Sequence, residues 1–239
     1  MSILSELIHD LGALFFPPRC PVCRGELKAG DRTVCTRCLA EAPLTRYWLA
    51  IDNPLSRSFW GLLPVEQASA LIFFSAHSGW RQLIHDFKYR HQWRLALEMG
   101  RWYGTELQES DLYHTIDVVV PIPLHWRKRL LRGYNQSEYL ARGIAQKLGI
   151  PCDLDSVRRH RNNPSQARRS REERWQNVEG IFSVRHPERL EGKHILLVDD
   201  VLTTRATLIS CGEAILKAVP DCRLSVAVLA TSKHHIQHP

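Results

Sequence analysis

The chain has 239 residues, and its 32 Lys and Arg against 25 Asp and Glu give a formal charge of +7. Hydrophobic residues make up 44% and charged residues 24%, which is ordinary for a globular protein and excludes a mainly disordered, collagen-like or coiled-coil chain. The length allows one full domain and a smaller one, with a core that needs no disulfides. Seven cysteines are an odd number and too few for a secreted disulfide scaffold.

Residues 2–16 carry apolar side chains at helical spacing, and Pro17 and Pro18 end the pattern. This predicted N-terminal helix, assigned to residues 1–16, lacks the basic start and unbroken apolar core of a secretory signal. No stretch of the chain approaches the roughly 18 apolar residues of a membrane-spanning helix. We therefore expect a cytoplasmic protein with no transmembrane segment, whose first helix packs on the next module.

Two CxxC pairs follow this helix, formed by Cys20 with Cys23 and by Cys35 with Cys38. Four thiolates from two such pairs complete the closed tetrahedral shell of a structural zinc site. Two disulfides are the competing interpretation, which a cytoplasmic chain disfavours. The spacing therefore predicts a small zinc module over residues 17–45. Three further cysteines stand alone: Cys152, Cys211 and Cys222.

The rest of the chain predicts an irregular linker over 46–67, an α/β domain over 68–232 and a His-rich tail over 233–239. Strands are predicted over residues 69–75, 116–120, 154–157, 178–184, 194–198 and 224–230. Helices are predicted over residues 80–88, 94–109, 136–148 and 207–219. Continuous apolar strands that alternate with helices favour a parallel sheet covered on both faces.

The most specific segment is a buried strand over 194–198 that runs into Asp199 and Asp200, followed by a Thr-rich loop that opens a helix. Ligands of open α/β sheets bind at the carboxyl ends of the strands. Hydroxyls and backbone amides at a helix start can surround a phosphate. Carboxylates beside such a phosphate site suit a sugar phosphate with free hydroxyls, for example ribose 5-phosphate.

This segment resembles the 5-phosphoribosyl 1-pyrophosphate (PRPP) motif of type I phosphoribosyltransferases. The resemblance implies that Asp199 and Asp200, the catalytic carboxylates, contact the ribose hydroxyls, and that Mg²⁺ bridges the pyrophosphate and ribose oxygens. The implied PRPP loop consists of Thr203, Thr204, Arg205, Ala206 and Thr207. The family usually has Gly at the position of Arg205, and positive φ would be costly for Arg. Either the loop has a different shape, or Arg205 adds a cation to the phosphate site.

Three further motifs lie upstream of the PRPP-type segment. A PxPL string begins at Pro121, an RGYNQ string begins at Arg132, and a Q…SREER string begins at Gln166. Together with the four cysteines and LLVDDVLTT, this order is similar to the ComF family of competence and DNA-utilisation proteins. The resemblance covers roughly residues 15–230. It implies a zinc-finger-like piece before a phosphoribosyltransferase-type domain, and action on incoming single-stranded DNA. DNA-uptake and recombination proteins are the further partners that it suggests.

The positive charge is concentrated in residues 125–174, where 13 Lys and Arg against 5 Asp and Glu give +8, while the rest of the chain sums to −1. Four aromatic residues lie in or beside this segment: Trp126, Tyr134, Tyr139 and Trp175. Cations with aromatic platforms are typical of single-stranded nucleic-acid sites, although a PRPP site also needs cations for pyrophosphate. The residues assigned to pyrophosphate or nucleic acid are Arg127, Lys128, Arg129, Arg132, Asn135, Gln136, Arg168, Arg169, Arg171 and Arg174.

Three functions are compatible with these patterns. The first is a PRPP-binding, single-stranded-DNA-handling protein of natural transformation or DNA uptake, which the family resemblance and the local concentration of charge together favour. The second is an active phosphoribosyltransferase that uses PRPP and Mg²⁺ to modify a base or an amine. The third is a PRPP-sensing regulatory or scaffold protein. None of the twelve histidines has a partner at a triad-like spacing, and we assign none of them a catalytic role.

Overall fold

The computed structural model describes residues 18–31, 33–89, 92–160 and 180–232. The predicted N-terminal helix and His-rich tail lie outside these residues, as do four of the predicted cations: Arg168, Arg169, Arg171 and Arg174. The strands are β1 (Ala68–Phe73), β2 (Val118–Pro121), β3 (Val157–Arg159), β4 (Phe182–Val184), β5 (His194–Leu202) and β6 (Arg223–Thr231). The helices are α1 (Thr36–Ala40), α2 (Pro54–Arg57), α3 (Gly79–Tyr89), α4 (Trp93–Gln108), α5 (Trp126–Arg132), α6 (Gln136–Leu148) and α7 (Ala206–Ala218).

The centre of the fold is a four-stranded parallel sheet in the order β1-β6-β5-β2. Successive residues of each strand enter two different cores, because side chains alternate between the faces of a sheet. Leu196 and Val198 pack on the face covered by α3, α4 and α6, whereas Ile195 and Leu197 pack on the face covered by α2 and α7. The predicted parallel sheet with both faces covered is therefore confirmed.

Helix α6 occupies the predicted residues 136–148. The Asn135 side chain accepts a hydrogen bond from the Ser137 amide at its start, and Gly149 ends it with φ 70°. It packs closely on α4, because Gly100 has no side chain: a Cβ there would lie 2.2 Å from the Leu140 carbonyl oxygen. This contact holds the start of α6 over the carboxyl ends of the strands.

Two predicted strands are wrong as members of the parallel sheet. β3 and β4 form a separate antiparallel pair, with Val157 opposite Val184 and Arg159 opposite Phe182. Each strand has three residues, and only Val157 and Phe182 are buried. A strand that buries one face is typical of antiparallel pairing, whereas parallel strands need apolar residues on both faces.

The expected loose linker over 46–67 is also wrong, because this segment folds onto the sheet. Leu55 and Phe59 are fully buried beside α7 and the sheet. Asn53 caps α2 by accepting from the Leu55 and Ser56 amides, and its side chain donates to the Ala68 carbonyl of β1 at 3.0 Å. The proline-rich composition concealed a segment whose apolar side chains belong to the core.

The four-cysteine module packs directly against the α/β domain. Gly79 at the start of α3 touches the backbone of Val22, since a Cβ there would lie 2.1 Å from the Val22 carbonyl oxygen. Farther along, the Phe73 amide donates to the Pro43 carbonyl at 2.8 Å, so this segment covers the free edge of β1. Within the described residues, no helix has the length and apolar character needed to cross a membrane.

Candidate ligand site at the carboxyl edge of the sheet

Strand β5 carries two adjacent carboxylates to the carboxyl edge of the sheet and continues beyond them to Leu202. The Ser137 hydroxyl donates to Asp199 Oδ1 at 2.8 Å, and the Asp200 amide donates to the same oxygen at 2.8 Å. Lys88 Nζ lies 2.9 Å from Asp200 Oδ2, and the Asp200 side chain is only 13% exposed. Each carboxylate thus has a partner from a different helix.

The partners Ser137 and Lys88 were not among the predicted site residues. They meet the carboxylates because parallel strands end at one edge: β1 leads into α3, and β2 leads into α5 and α6. Ser137 follows the RGYNQ string directly, which is the signal that could have identified it. Lys88 is the only cation in the last turn of α3, a weaker signal.

The electrostatics of the edge are set by two buried acids among several cations. Desolvation and the neighbouring charge of Asp200 raise the pKa of Asp199 to about 6. Burial lowers the pKa of Lys128, and the cations Arg159, Arg132 and Lys88 lower it further, while Asp200 opposes them. Burial also lowers the pKa of Arg159, against the opposing charge of Asp199. The cations of the site can therefore attract an anion, while the carboxylates can accept hydrogen bonds from hydroxyl groups.

The predicted phosphate loop lies next to these carboxylates along the chain. Thr203 and Thr204 are exposed, and α7 begins at Ala206 with no capping side chain among the described residues. Its first amides therefore point toward the edge without a side-chain acceptor. Arg205 has φ −69°, so the loop does not need the left-handed conformation for which Gly is preferred. Arg205 Nη1 is buried without a hydrogen-bond partner in the described part of the chain.

The predicted cations of the RGYNQ region divide between the edge and the surface of helix α5. Arg127 and Arg129 are exposed, and the Arg127 guanidinium lies 5.2 Å from the centre of the Trp126 ring. Lys128 is close enough to Asp200 for that charge to raise its pKa, and Arg132 donates to Gln136 Oε1 at 3.1 Å.

Helix α5 also exposes apolar surface, although the sequence did not predict a helix here. Trp126 is 56% exposed, and Leu130 and Leu131 are 75% and 84% exposed. A shallow cavity of about 440 Å³ is lined by Trp126, Arg129, Leu130 and Gly133. Helix α5 is capped by the buried His125 ring, which accepts from the Arg127 amide at 3.3 Å. The helix thus presents a ring, aliphatic side chains and cations together.

Three residues of the predicted set have partners inside the protein. Asn135 caps α6 and donates to the Ile122 carbonyl at 3.1 Å, and Gln136 is 1% exposed. Tyr134 is buried, and its hydroxyl donates to the Phe87 carbonyl. The suggestion that Tyr134 forms a platform for bases is therefore wrong, because its ring belongs to the interior. Asn135 and Gln136 remain predicted ligands only.

The four predicted zinc ligands converge on one point. The sulfur atoms of Cys20, Cys23, Cys35 and Cys38 lie within 4.8 Å of one another, and all four thiols are free. The Cys23 and Cys35 sulfurs are 3.7 Å apart. This matches the edge of a tetrahedron with Zn–S bonds of about 2.3 Å, which is about 3.8 Å. The set fits a single structural zinc ion.

Two family models match the two parts of the chain. The phosphoribosyl transferase domain matches residues 135–239, and the double zinc ribbon domain matches residues 11–47. Together with the parallel sheet and the clustered thiols, these matches confirm the predicted class. The protein has a type I phosphoribosyltransferase-like α/β domain behind a four-cysteine zinc module.

The chain is also similar to three curated proteins. It is 26% identical over 203 residues to Competence protein F of Haemophilus influenzae, covering 81% of this chain and 89% of that one. It is 26% identical over 201 residues to DNA utilization protein YhgH of Escherichia coli K12, covering 83% and 84%. It is 37% identical over 91 residues to Competence protein ComFC of Bacillus subtilis, covering 38% and 35%. These matches confirm the similarity to the ComF family.

Proposed function

We propose that this protein acts in cytoplasmic DNA uptake or DNA utilisation, binding PRPP with Mg²⁺ at the carboxyl edge and single-stranded DNA along α5. The observation that carries the proposal is the pairing of Asp199 and Asp200 with the uncapped start of α7. The carboxylates of such an edge accept hydrogen bonds from hydroxyls, and the backbone N–H groups at the helix start donate hydrogen bonds to a phosphate. A ribose phosphate contains both groups.

PRPP would use each part of the edge differently. The carboxylates of Asp199 and Asp200 accept from the ribose hydroxyls, and the backbone from Thr204 to Thr207 holds the 5′-phosphate. The charge of Asp200 affects the pKa of Lys128, and that of Asp199 affects the pKa of Arg159, which supports a role for both cations as countercharge to the pyrophosphate. Mg²⁺ prefers oxygen ligands and phosphates, and it would supply the remaining positive charge when PRPP binds.

Single-stranded DNA fits the surface of α5. Nucleic-acid bases stack on exposed aromatic rings, and the backbone follows cations without regard to sequence. Trp126 supplies the ring, and the exposed Arg127 and Arg129 supply cations on the same short helix. The names of the matched relatives, two competence proteins and a DNA utilization protein, support DNA as the polymer.

The test measures the two ligands separately. Calorimetry should detect saturable binding of PRPP in the presence of Mg²⁺, and a gel-shift titration with a short oligonucleotide should show affinity that falls steeply with salt. Exchanging Arg127 and Arg129 for Gln should make the slope of log K against log salt shallower by about 1.4, because each single-strand phosphate contact contributes about 0.7.

The matched control for the charge is Arg223→Gln, because Arg223 is exposed at the opposite end of β6. It should leave the salt slope unchanged. Failure to bind oligonucleotide at low salt would exclude the DNA part, whereas PRPP affinity without DNA affinity would favour a PRPP-sensing scaffold.

Phosphoribosyl transfer is the second candidate, favoured by the convergence of Lys88, Lys128 and Arg159 near the carboxylates. In that reaction the bond from C1 of ribose to the pyrophosphate oxygen breaks, and a bond from C1 to an acceptor nitrogen forms. Cations and Mg²⁺ stabilise the departing pyrophosphate. Pyrophosphate release with a panel of bases and amines tests it. Binding of PRPP without release would exclude turnover with those acceptors.

A further inference from the structure

Helix α3 connects the four-cysteine module with the carboxylate site. Its last turn places Lys88 against Asp200, with 2.9 Å between Nζ and Oδ2. The Lys88 carbonyl also accepts from Gln136 Nε2 at 3.4 Å, and the Phe87 carbonyl accepts from Tyr134. The carboxyl end of α3 is therefore part of the wall of the proposed PRPP site.

The same helix is held by the first cysteine knuckle. Gly79 at its start packs on the Val22 backbone. Seven residues later, Asp86 forms an ion pair with Arg24, with 3.1 Å between Oδ2 and Nη2. The Asp86 side chain is only 2% exposed. Gln82 of the same helix also donates to Asp86, at 2.8 Å, while Arg24 brings a cation to this buried carboxylate from the cysteine knuckle. Because a deeply buried carboxylate requires such partners, the Arg24 contact ties the helix to the knuckle.

Arg24 depends on the metal module for its position. It follows the ligand Cys23 directly and has φ 64°, a left-handed conformation that is uncommon for Arg. The turn is closed by hydrogen bonds from the Arg24 amide to the Cys20 carbonyl and from the Cys20 amide to the Gly25 carbonyl, both 2.8 Å. Zinc ligation by Cys20 and Cys23 would hold this turn, and with it the direction of the Arg24 side chain.

We propose that the zinc module sets the PRPP affinity through this helix, with Lys88 as a positioning residue for Asp200 and the Arg24–Asp86 ion pair as the link. The inference rests on the proposed PRPP site. Lys88 holds the Asp200 carboxylate by the 2.9 Å contact and so orients it to accept a ribose hydroxyl. The metal module is thus a structural part of the ligand site, rather than an independent attachment.

A double-mutant cycle in zinc-loaded protein tests the link, because residues that act through one contact are not additive. Lys88→Met should weaken binding of PRPP with Mg²⁺ about tenfold, and Arg24→Gln about threefold, while the double variant should be no weaker than Lys88→Met. Arg24→Lys, which retains the cation, should restore most of the affinity. Zinc content and melting temperature are measured for each variant.

Arg37→Gln is the matched control, since Arg37 lies in the same module but pairs with the exposed Glu41 at 3.2 Å. Its PRPP affinity should equal that of the unmodified protein. Multiplicative effects of Arg24→Gln and Lys88→Met, or wild-type affinity in Arg24→Gln, would overturn the link.

Hydrogen exchange distinguishes failure of the link from failure of the PRPP proposal. Arg24→Gln, but not Arg37→Gln, should accelerate amide exchange in the last turn of α3. If the unmodified protein does not bind PRPP, the proposed function fails. The connection between the knuckle and Lys88 is then decided by exchange alone, and unchanged protection in that turn would reject it.

Discussion

The carboxyl edge of the sheet and the surface of α5 are neighbours with opposite character. At the edge, polar groups point inward and have protein partners, as in the contacts of Ser137 with Asp199 and of Lys88 with Asp200. On α5, Trp126, Leu130 and Leu131 are more than half exposed. A preorganised set of polar groups of this kind suits a small ligand with defined hydroxyls and phosphates, whereas an open cationic and aromatic surface suits a flexible polymer.

The difference shows that the described cations of the basic segment have two kinds of surroundings. The pKa of Lys128 is affected by Asp200 and by the neighbouring cations Arg159, Arg132 and Lys88, so its charge belongs to the carboxyl edge. Arg127 and Arg129 are exposed on the surface of α5, and Arg129 also lies 3.9 Å from Glu138 Oε2. We therefore expect variants of the carboxyl edge to affect PRPP binding alone, and variants of α5 to affect oligonucleotide binding alone.

The largest expected effect comes from removing both carboxylates. Replacing Asp199 and Asp200 by Asn should weaken PRPP binding about 100-fold, because a hydrogen bond from a ribose hydroxyl to a neutral acceptor is weaker than one to a charged acceptor by about 1.4 kcal/mol. Calorimetry in the presence of Mg²⁺ measures the loss. Oligonucleotide affinity should not fall, and an equal loss of both ligands would show that the two regions form one site.

The next effect concerns the exposed ring of α5. Trp126→Ala should weaken oligonucleotide binding about tenfold, since a stacked base contributes about 1–3 kcal/mol. Fluorescence anisotropy with a labelled oligonucleotide measures it. Trp60→Ala is the control, because Trp60 is also exposed, at 66%, but belongs to the segment between the zinc module and β1. Comparable losses in both variants would contradict a specific role for α5.

The smallest effect is the pH dependence of the pocket. Because the pKa of Asp199 is raised to about 6, its carboxylate becomes protonated as the pH falls below that value. Lowering the pH from about 7.5 to about 5.5 should therefore weaken PRPP binding about fourfold. The hydrogen bond from Ser137 lowers this pKa, so Ser137→Ala should move the midpoint to higher pH.

Phosphate groups of PRPP titrate near the same pH, so the pH dependence of binding to Asp199→Asn measures the contribution of the ligand.

The free energy of unfolding should change with pH in the opposite direction to PRPP affinity. The folded protein binds the Asp199 proton more tightly than the unfolded chain, so this group makes the free energy of unfolding fall as the pH rises from about 4 to about 6. Thermal melts across this window should show less of that fall in Asp199→Asn.

Local patterns predicted the metal module and the PRPP-type loop, because their residues are close together in the chain. Cys20 to Cys38 span 19 positions, and the segment from Asp199 to Thr207 spans nine. The partners Lys88, Ser137 and Arg159 could not be assigned, since each comes from a different element. Tyr134 was misread for a related reason: an aromatic residue in a basic segment gives no indication of whether its ring faces solvent.

The other wrong predictions concern short or proline-containing segments. Residues 154–157 and 178–184 looked like further parallel strands, and 46–67 looked like a linker, because composition does not report which apolar side chains reach a core. Helix α5 was missed because its seven residues are mostly cations, and because its N-cap is the His125 side chain, which is not a usual capping residue.

The sequence alone determined the α/β class, the four zinc ligands and the carboxylates that follow a buried strand, since periodicity and short spacing are local properties. Only the tertiary structure decided that α3 joins the zinc module to Asp200. It also decided that, in the described part of the basic segment, Lys128 lies near Asp200 whereas Arg127 and Arg129 are exposed on α5. Those facts depend on the order β1-β6-β5-β2, which brings distant strand ends to one edge.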